Sequence, residues 1–334
     1  MPKKWVLTLL FAGVFFFQTA GLSTAAGLPA WGTPVKVEGM QASRVSAVWH
    51  KGKLHIVHGG KDGDAIWHGA WDGNTWMINR VSNLDGQGAP ALEVFQGKLH
   101  MVYKGGNDTL WHAVSEGANW TPLGKIPGQK SHYSPSVLLF PFDRVTGGAG
   151  ESLLMVRGGG SKDSKREIWH SWFDGSSWAG DQKAAGAAEG TVSLCRHKDR
   201  LFKAAIYYGG ITILPYESGT GWLQADKFPQ LSREARTVTP VSMASDGEDL
   251  FIFFRQGRSE EGSAEPIFAS VLKGNQWETP VPVRDFTASN SPTVVAVPGQ
   301  KGKFYLLFTR NKDIFLASSL ELKPSLRPLK QIIK

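Results

Sequence analysis

An eleven-residue motif occurs three times in the chain, and in each copy a tryptophan is followed directly by a histidine. The motif reads Ile or Leu, Trp, His, three variable residues, Asp or Glu, Gly, two variable residues and Trp. An indole face offers an apolar plate to the C–H side of a sugar ring, and an imidazole can donate a hydrogen bond to a hydroxyl or accept one from it. The motif therefore indicates either a repeated carbohydrate site or the packing of repeated units around a hydrogen-bonded histidine. Its members are Trp67, His68 and Trp76, then Trp111, His112 and Trp120, then Trp169, His170 and Trp178.

The later part of the chain loses both members of the Trp-His pair together. In three less regular copies of the motif, Ile213, Phe268 and Phe315 replace the tryptophan, and Leu214, Ala269 and Leu316 replace the histidine. Because the two residues are lost together, we expect them to have a joint role in the first three copies.

Two arginines are weaker candidates for carbohydrate binding. Arg157 and Arg255 follow a predicted strand in the third and fifth copies, with Arg310 nearby in the sixth. A guanidinium carries a fork of donors that can bind vicinal hydroxyls or a carboxylate. The same fork can equally bind a backbone carbonyl at the end of a repeated unit, so both interpretations stay open.

The sequence lacks the common motifs of catalysis. It contains no Gly-x-Ser-x-Gly nucleophile elbow, no phosphate-binding loop and no zinc-protease spacing of His and Glu. His55 and His100 share one repeat position, and a single active site needs no copies of its base. Asp72, Glu116 and Asp174 each precede a glycine in an equivalent hairpin, where a carboxylate commonly caps the turn. We therefore expect no catalytic residues, no metal and no cofactor.

The chain repeats a unit of about 45 residues, since Lys51–Val57 matches Gln96–Val102 at an offset of 45. Each unit divides into four strand-length segments, and the glycines between them suit tight hairpins. In the second copy we predict strands at 91–95, 98–103, 109–115 and 119–124. The six units start at Val45, Pro90, Pro135, Val192, Pro240 and Pro292.

The two ends of the repeated region decide the architecture. The sixth copy lacks a tryptophan-led fourth strand, and Trp31–Val37 closely resembles that strand of the fifth copy, Trp277–Val283. The N-terminal strand can thus complete the last unit and close a ring that has no long unpaired edge. We predict an all-β fold, a six-bladed β-propeller of four-stranded blades. A glycine-rich extension at 143–150 in the third copy is either a hairpin tip or a functional loop.

The N-terminal residues indicate that the chain is exported. Lys3 and Lys4 precede an uncharged apolar run, and small residues follow at 23–26, as in a secretory signal peptide. The run is shorter than the roughly 20 residues that span a bilayer, although a retained anchor is the alternative. We predict a signal peptide at 1–25, the propeller at 26–322 and a basic tail at 323–334. The mature chain is then secreted or extracytoplasmic, without an integral membrane segment.

The distribution of charge argues against one class of partner, and the cysteine content argues against internal cross-links. The net charge of +8 is spread thinly and forms no basic stripe, so we expect no nucleic-acid partner. Cys195 is the single cysteine, so no disulfide can form within the chain. An exported protein of this size without disulfides must rely on its hydrophobic core.

The eleven-residue motif resembles the blade repeat of fucose-binding propeller lectins. These are the bacterial PLL-type lectins and, more distantly, the six-bladed fungal fucose-specific lectins. The resemblance extends over nearly the whole mature chain and implies a non-enzymatic lectin with several shallow sites for glycans or glycoconjugates between blades. It implies sugar contacts at the first three Trp-His pairs, with Trp76, Trp120 and Trp178 beside them. The last three copies depart from the motif, and the regular arginine-glutamate pair of the fungal lectins is missing.

Two other propeller functions stay open. A non-catalytic adhesion or scaffold protein would use the same rigid ring to bind another protein. A sialidase-like glycoside hydrolase would need a pair of carboxylates at its site. The hairpins here read Asp-Gly-x-x-Trp, without the Ser-x-Asp-x-Gly-x-x-Trp spacing of sialidases.

Overall fold

The computed structural model describes residues 28–60, 65–117, 119–140, 150–159, 166–217, 220–257 and 262–319. The predicted signal peptide, the basic tail and residues 143–149 of the glycine-rich extension lie outside these ranges. Within them the regular structure is strand, apart from two short 3-10 helices at Gly106–Asp108 and Ala225–Lys227. No helix among the described residues is long and apolar enough to cross a membrane.

Six antiparallel sheets, here called blades 1–6, follow one another along the chain. The first strand, β1 (Val35–Gln41), belongs to the last blade. Blade 1 contains β2 (Ser46–His50), β3 (Lys53–Gly59), β4 (Ala65–Trp71) and β5 (Trp76–Asp85). Blade 2 contains β6 (Gln87–Phe95), β7 (Lys98–Lys104), β8 (Thr109–Ser115) and β9 (Trp120–Lys130). Blade 3 contains β10 (Ser136–Phe140), β11 (Ser152–Gly158), β12 (Glu167–Phe173) and β13 (Gln182–Ala187).

The second half of the ring repeats this order of strands. Blade 4 contains β14 (Ser193–His197), β15 (Arg200–Tyr207), β16 (Gly210–Glu217) and β17 (Gly221–Trp222). Blade 5 contains β18 (Ser242–Ser245), β19 (Leu250–Arg255), β20 (Glu265–Lys273), β21 (Gln276–Trp277) and β22 (Val281–Ala288). Blade 6 contains β23 (Thr293–Ala296), β24 (Phe304–Arg310) and β25 (Asp313–Ser318), completed by β1.

This arrangement confirms the predicted six-bladed propeller. The first strand of each blade is the innermost, and neighbouring inner strands contact one another around the whole ring, from β2 against β6 to β23 against β2. In blade 2 the observed strands overlap all four predicted segments, and the fourth strand begins at Trp120, one residue after the predicted start. The outer strand β9 continues to Lys130, beyond the predicted end at 124, because after two bulges its end pairs with Thr109.

The ring is closed by the N-terminal strand, as the sequence predicts. In β1, Val35 pairs with Leu316 and Lys36 with Phe315 of β25. Before the strand, the amide of Gly32 donates to the Ser318 carbonyl oxygen at 2.9 Å. The Trp31 ring is buried and meets a phenylalanine of blade 5 edge to face. The last blade thus joins both ends of the described chain.

Most of the core lies between blades. The buried apolar side chains form six clusters, and each cluster joins one pair of consecutive blades, including the sixth and the first. In the cluster that closes the ring, Val37 and Leu316 of blade 6 pack with Leu54 and Trp76 of blade 1. Because both faces of each blade are apolar, each needs a neighbour on both sides.

The inner strands are tied to one another by hydroxyl groups. Ser46, Ser193 and Ser242 each accept a backbone N–H from the inner strand of the following blade, at 3.0–3.1 Å. At the same repeat position, Ser136 and Thr293 donate to a carbonyl oxygen of the following blade. The free edges of the inner strands thereby find partners for their backbone groups.

Blade 4 replaces part of its outer strand with one side chain. Its strand β17 has two residues, after which the chain turns into the helix at Ala225–Lys227. The Gln230 amide then accepts the Ile213 N–H and donates to the Ile213 carbonyl oxygen, both at 2.8 Å. Gln230 therefore makes the two hydrogen bonds that a fourth strand would make.

We expect deletion of residues 26–38 to cause aggregation or a large loss of thermal stability. The deletion uncovers the edge of β25 and removes apolar side chains from two blade interfaces. Size-exclusion chromatography and thermal melting measure both effects. A truncated monomer that melts at the temperature of the full chain would contradict ring closure by this strand.

We expect Gln230→Ala to lower the free energy of unfolding by about 2 kcal/mol. The substitution leaves two buried backbone groups of Ile213 without partners, at about 1–3 kcal/mol for each unsatisfied group before water compensates. Urea denaturation measures the change. Gln224→Ala is the matched control, because Gln224 is exposed and such surface substitutions stay within about 0.5 kcal/mol. Equal losses in both variants would contradict the role of Gln230.

Candidate functional site

Blades 1 and 2 each contain a pair of histidines, and the two members of a pair lie on neighbouring strands of the same blade. In blade 1, His55 Nδ1 and His68 Nε2 are 3.0 Å apart. In blade 2, His100 Nδ1 and His112 Nε2 are 2.9 Å apart. The hairpin pairing of β3 with β4, and of β7 with β8, brings the members of each pair together. The repeat pattern identifies His55 and His100 as equivalent positions, but only the structure shows that they bond to the candidate site histidines.

Each histidine pair faces a tryptophan of the next blade. The ring centre of Trp120 lies 5.5 Å from that of His68, and Trp178 lies 5.4 Å from His112, both edge to face. Trp120 begins β9, and Trp178 forms a bridge with Phe173 at the equivalent place in blade 3. We call these places crevice 1–2 and crevice 2–3. Each combines a histidine of one motif with a tryptophan of the following motif.

The two neighbouring residues of each Trp-His pair lie in different crevices. Trp111 packs on the apolar cluster between blades 1 and 2, together with Trp120. His112 instead meets Trp178 between blades 2 and 3. Successive side chains of a strand point to opposite faces, which explains the separation. Crevice 1–2 therefore contains His68 of blade 1 beside Trp111 and Trp120 of blade 2.

The outer tryptophans differ in exposure. Trp120 and Trp178 are half-buried. At the four equivalent positions the tryptophan is buried, with 5–8% of its surface exposed; these are Trp31, Trp76, Trp222 and Trp277. Crevices 1–2 and 2–3 are thus the two blade interfaces at which this indole reaches solvent. Trp76, predicted beside the first Trp-His pair, stacks instead on Trp71 in the cluster between blades 6 and 1.

Crevice 2–3 contains a chain of hydrogen bonds with one direction. The Trp178 Nε1–H can only donate, and it donates to His112 Nδ1 at 3.3 Å. Neutral His112 then carries its proton on Nε2 and donates to His100 Nδ1, so His100 carries its proton on Nε2. In crevice 1–2 the indole Nε1–H of Trp120 is buried without a protein partner.

Burial keeps the four histidines neutral at physiological pH. Removal from water lowers the pKa of His68 and His112 to about 3, and that of His55 and His100 to about 4. Each imidazole then has one donor and one acceptor nitrogen and no charge. The rings are 2–5% exposed, so they lie deeper in the crevices than the half-buried tryptophans. Uncharged polar atoms behind an indole suit a neutral ligand with hydroxyl groups.

The third predicted pair has a different environment. Between blades 3 and 4, Lys203 places its Nζ 4.4 Å from the ring centre of Trp222 and donates to the Ala185 carbonyl oxygen. Burial lowers the pKa of Lys203 to about 7. Burial, and secondarily the Lys203 charge, lowers the pKa of His170 to about 4. Trp222, His170 and Lys203 are all buried, so this interface is closed in the structure.

The other two first tryptophans of the motif and the first of the two predicted arginines complete the set of predicted site residues in blades 1 and 3. Trp67 and Trp169 share the repeat position of Trp111 and are half-buried. Arg157 is buried, pairs with Asp181, and donates to the Gly159 carbonyl oxygen at 3.2 Å. Its guanidinium also lies 5.7 Å from the Trp169 ring centre.

Arg255 is fully buried at the end of β19 and donates to the Ser263 carbonyl oxygen at 2.9 Å. Both arginines, Arg157 and Arg255, therefore make the carbonyl contacts of the structural interpretation. Their role in sugar binding stays a prediction that no contact here supports.

Two of the three hairpin carboxylates cap their own turns as predicted, whereas Glu116 pairs with Lys98 instead. Asp72 Oδ1 accepts the N–H groups of Asn74 and Thr75, both at 2.9 Å. Asp174 Oδ1 accepts two N–H groups in the same way. These hydrogen bonds lower the pKa of both carboxyls. Within the described ranges, no group of three or more His, Cys, Asp or Glu side chains is placed to hold a metal ion.

Comparison with known proteins identifies similar folds. No protein-family model matches the chain, and no curated protein sequence matches it. A fucose-specific lectin of Aleuria aurantia, described as a six-bladed β-propeller, is 13% identical with a TM-score of 0.61, covering 82% of this chain and 90% of the lectin. AofleA from Arthrobotrys oligospora is 15% identical with a TM-score of 0.55, covering 85% of each chain.

A sialidase shares the fold at a similar level. A Hadza microbial sialidase is 14% identical with a TM-score of 0.59, and the match covers 82% of this chain and 64% of the sialidase. At such identities the likeness shows the propeller fold, which lectins and hydrolases both use. The predicted likeness to bacterial PLL-type lectins stays a prediction.

Acid should destabilise the protein through its neutral histidines. A histidine titrates near pH 6.5 when unfolded, whereas His100 titrates near 4 when folded. As the pH falls from 6.5 to about 4, the unfolded state takes up protons that the folded state does not, so the free energy of unfolding decreases. His100→Gln should reduce this decrease by up to about 1.4 kcal/mol per pH unit. Urea unfolding at pH 7, 6 and 5 measures the slope, and an unchanged slope in the variant would contradict a neutral buried His100.

Proposed function

We propose that the mature chain is an extracytoplasmic lectin that binds neutral sugar rings at crevices 1–2 and 2–3. One observation carries the proposal. Of the six blade interfaces, these two combine a half-buried outer tryptophan with a neutral histidine pair. The location outside the cytoplasm rests on the predicted signal peptide at 1–25.

The two crevices offer the groups that a neutral sugar needs. The exposed part of Trp120 or Trp178 can lie against the C–H face of a pyranose. Behind it, the His100 Nε2–H in crevice 2–3 and the Trp120 Nε1–H in crevice 1–2 are donors to which no acceptor of the described chain is bonded, and they suit hydroxyls. Two shallow sites on one rigid ring favour clustered glycans, because binding at the second site becomes effectively intramolecular. Single sugars are then bound weakly and multivalent glycans tightly.

Fucose is the first sugar to test. Structures with the same fold include a lectin whose description names a complex with Fucα1-6GlcNAc. The histidine pairs here differ from the arginine-glutamate pair expected of that group of lectins. A site without charge also accommodates other neutral hexoses, so an array of neutral glycans is the appropriate screen.

The two alternative functions predict different results. A protein-binding scaffold would bind no glycan on such an array. A sialidase-like hydrolase would release product from a sialoside. The turn contacts of Asp72 and Asp174 leave these carboxylates no evident catalytic arrangement.

We expect Trp120→Leu and Trp178→Leu each to remove one of two sugar sites. Leucine keeps an apolar side chain and removes the stacking plate, which is worth roughly tenfold in affinity. Calorimetric titration of the best neutral glycan should give a stoichiometry of two for the native protein and one for each variant. The double variant should lose binding while its melting profile stays close to that of the native protein.

Leu123→Ala is the matched control, because Leu123 is 51% exposed on the same outer strand as Trp120. This variant should bind glycan as the native protein does. Full glycan binding by the Trp120 and Trp178 double variant would refute the assignment of the sites, even if the protein is a lectin.

A further inference from the structure

The six inner strands enclose a cavity of about 480 Å³ on the axis of the ring. This volume falls within the range of about 300–1,000 Å³ that is typical of small-molecule sites. Most of the lining is apolar or hydroxylic. The titratable lining residues are Arg44, Glu93, Cys195 and Arg196.

Glu93 breaks the pattern of the ring. It lies in the inner strand β6, two residues after the position at which the other blades carry a tying hydroxyl group. At the position of Glu93 the other five inner strands carry side chains that are uncharged; these are Val48, Leu138, Cys195, Ala244 and Val295. A single carboxyl group is therefore placed inside an otherwise apolar level of the cavity.

The Glu93 carboxylate has backbone partners and no counter-ion. Oε1 accepts the Val94 N–H at 2.8 Å, and the backbone of Leu139 in the next blade also acts to lower the pKa of this carboxyl. Enclosure by the inner strands raises the pKa of Glu93 to about 7, against the effect of these donors. No cationic side chain of the described chain is among the groups that shift it. Glu93 is half-buried in the wall of the cavity, where a negative charge has little water around it and is costly unless it is paired.

The two ends of the cavity differ. Before the inner strands begin, Arg44 of blade 1 donates to Thr191 Oγ1 of blade 4 at 2.9 Å. Blades 1 and 4 are opposite each other in a ring of six, so this contact crosses the mouth. At the other end the lining includes half-buried Trp49 and exposed Arg196. The Arg196 Nε is held by the Lys198 carbonyl oxygen at 3.2 Å, and its exposed charge is screened by solvent. A ligand would enter from this end.

We propose that the axial cavity binds a small organic cation, an ammonium group with apolar substituents, that pairs with Glu93. The Glu93 carboxylate supplies the negative charge that attracts the cation, and the apolar residues of the wall surround its substituents. The indole of Trp49 attracts cations in addition, by its ring quadrupole. This site is separate from crevices 1–2 and 2–3, which lie between blades and hold no charge.

Choline and the neutral alcohol in which carbon replaces its nitrogen are suitable probes, because they share shape and differ in charge. Isothermal titration calorimetry of the full mature chain should show binding of choline and at least tenfold weaker binding of the alcohol. Glu93→Gln should abolish the difference between the probes, since glutamine keeps an acceptor for the Val94 N–H and removes the charge. Glu38→Gln is the matched control, because Glu38 is exposed on β1.

Proton release gives a second readout. A bound cation stabilises the Glu93 carboxylate, so choline binding at pH 7 should release a fraction of a proton, seen as a buffer-dependent enthalpy. The other titratable groups around Glu93 do not exchange protons near pH 7. The pKa of Cys195 is raised to about 12, and that of His100 on the adjacent strand is lowered to about 4. Equal affinity of the native protein for both probes, undiminished choline binding by Glu93→Gln, or no choline binding by the native protein would overturn the proposal.

Discussion

Burial of both faces of every blade is the constraint on which the rest of the structure depends. A four-stranded sheet with two apolar faces is stable in water only between two neighbours, and six such sheets satisfy one another only as a closed ring. An apolar cluster fills each of the six blade interfaces. Between the last blade and the first, the pairing of β1 with β25 completes the sheet that this packing needs. Since Cys195 is the single cysteine, no disulfide within the chain can take the place of this closure.

The axis of the ring raises a second problem, because the inner strand of each blade has an edge without a neighbouring strand. Side-chain hydroxyls at one repeated position supply partners for these backbone groups. Glu93 in the same ring of strands carries a carboxylate that accepts the N–H of Val94 in its own strand. The Glu93 carboxylate thus bonds to the backbone of the ring and also places a negative charge in the cavity. The same residue can therefore serve both the fold and a ligand.

Differences between equivalent positions give the blade interfaces their separate properties. The backbone of the repeat brings the same positions together at each interface, while the side chains decide what the interface contains. Histidine pairs and an accessible tryptophan occupy crevices 1–2 and 2–3, whereas a lysine with a pKa of about 7 fills the next interface. Burial lowers the pKa of all these titratable groups, so at pH 7 the histidines are neutral and Lys203 has lost part of its charge.

The sequence by itself determined the fold class, the number of blades and the closing strand, because strand period, glycine turns and the Trp31–Val37 match are local signals that survive in one chain. It also determined the residue types of the candidate sites. Only the tertiary structure decided which of these residues meet. His68 lies with Trp120 rather than with its neighbour Trp67, since alternate side chains of a strand face different blades. The exposure of Trp120 and Trp178, the burial of Arg157 and Arg255, and the enclosure of Glu93 depend on packing across blades that are distant in sequence, and no local pattern encodes such packing.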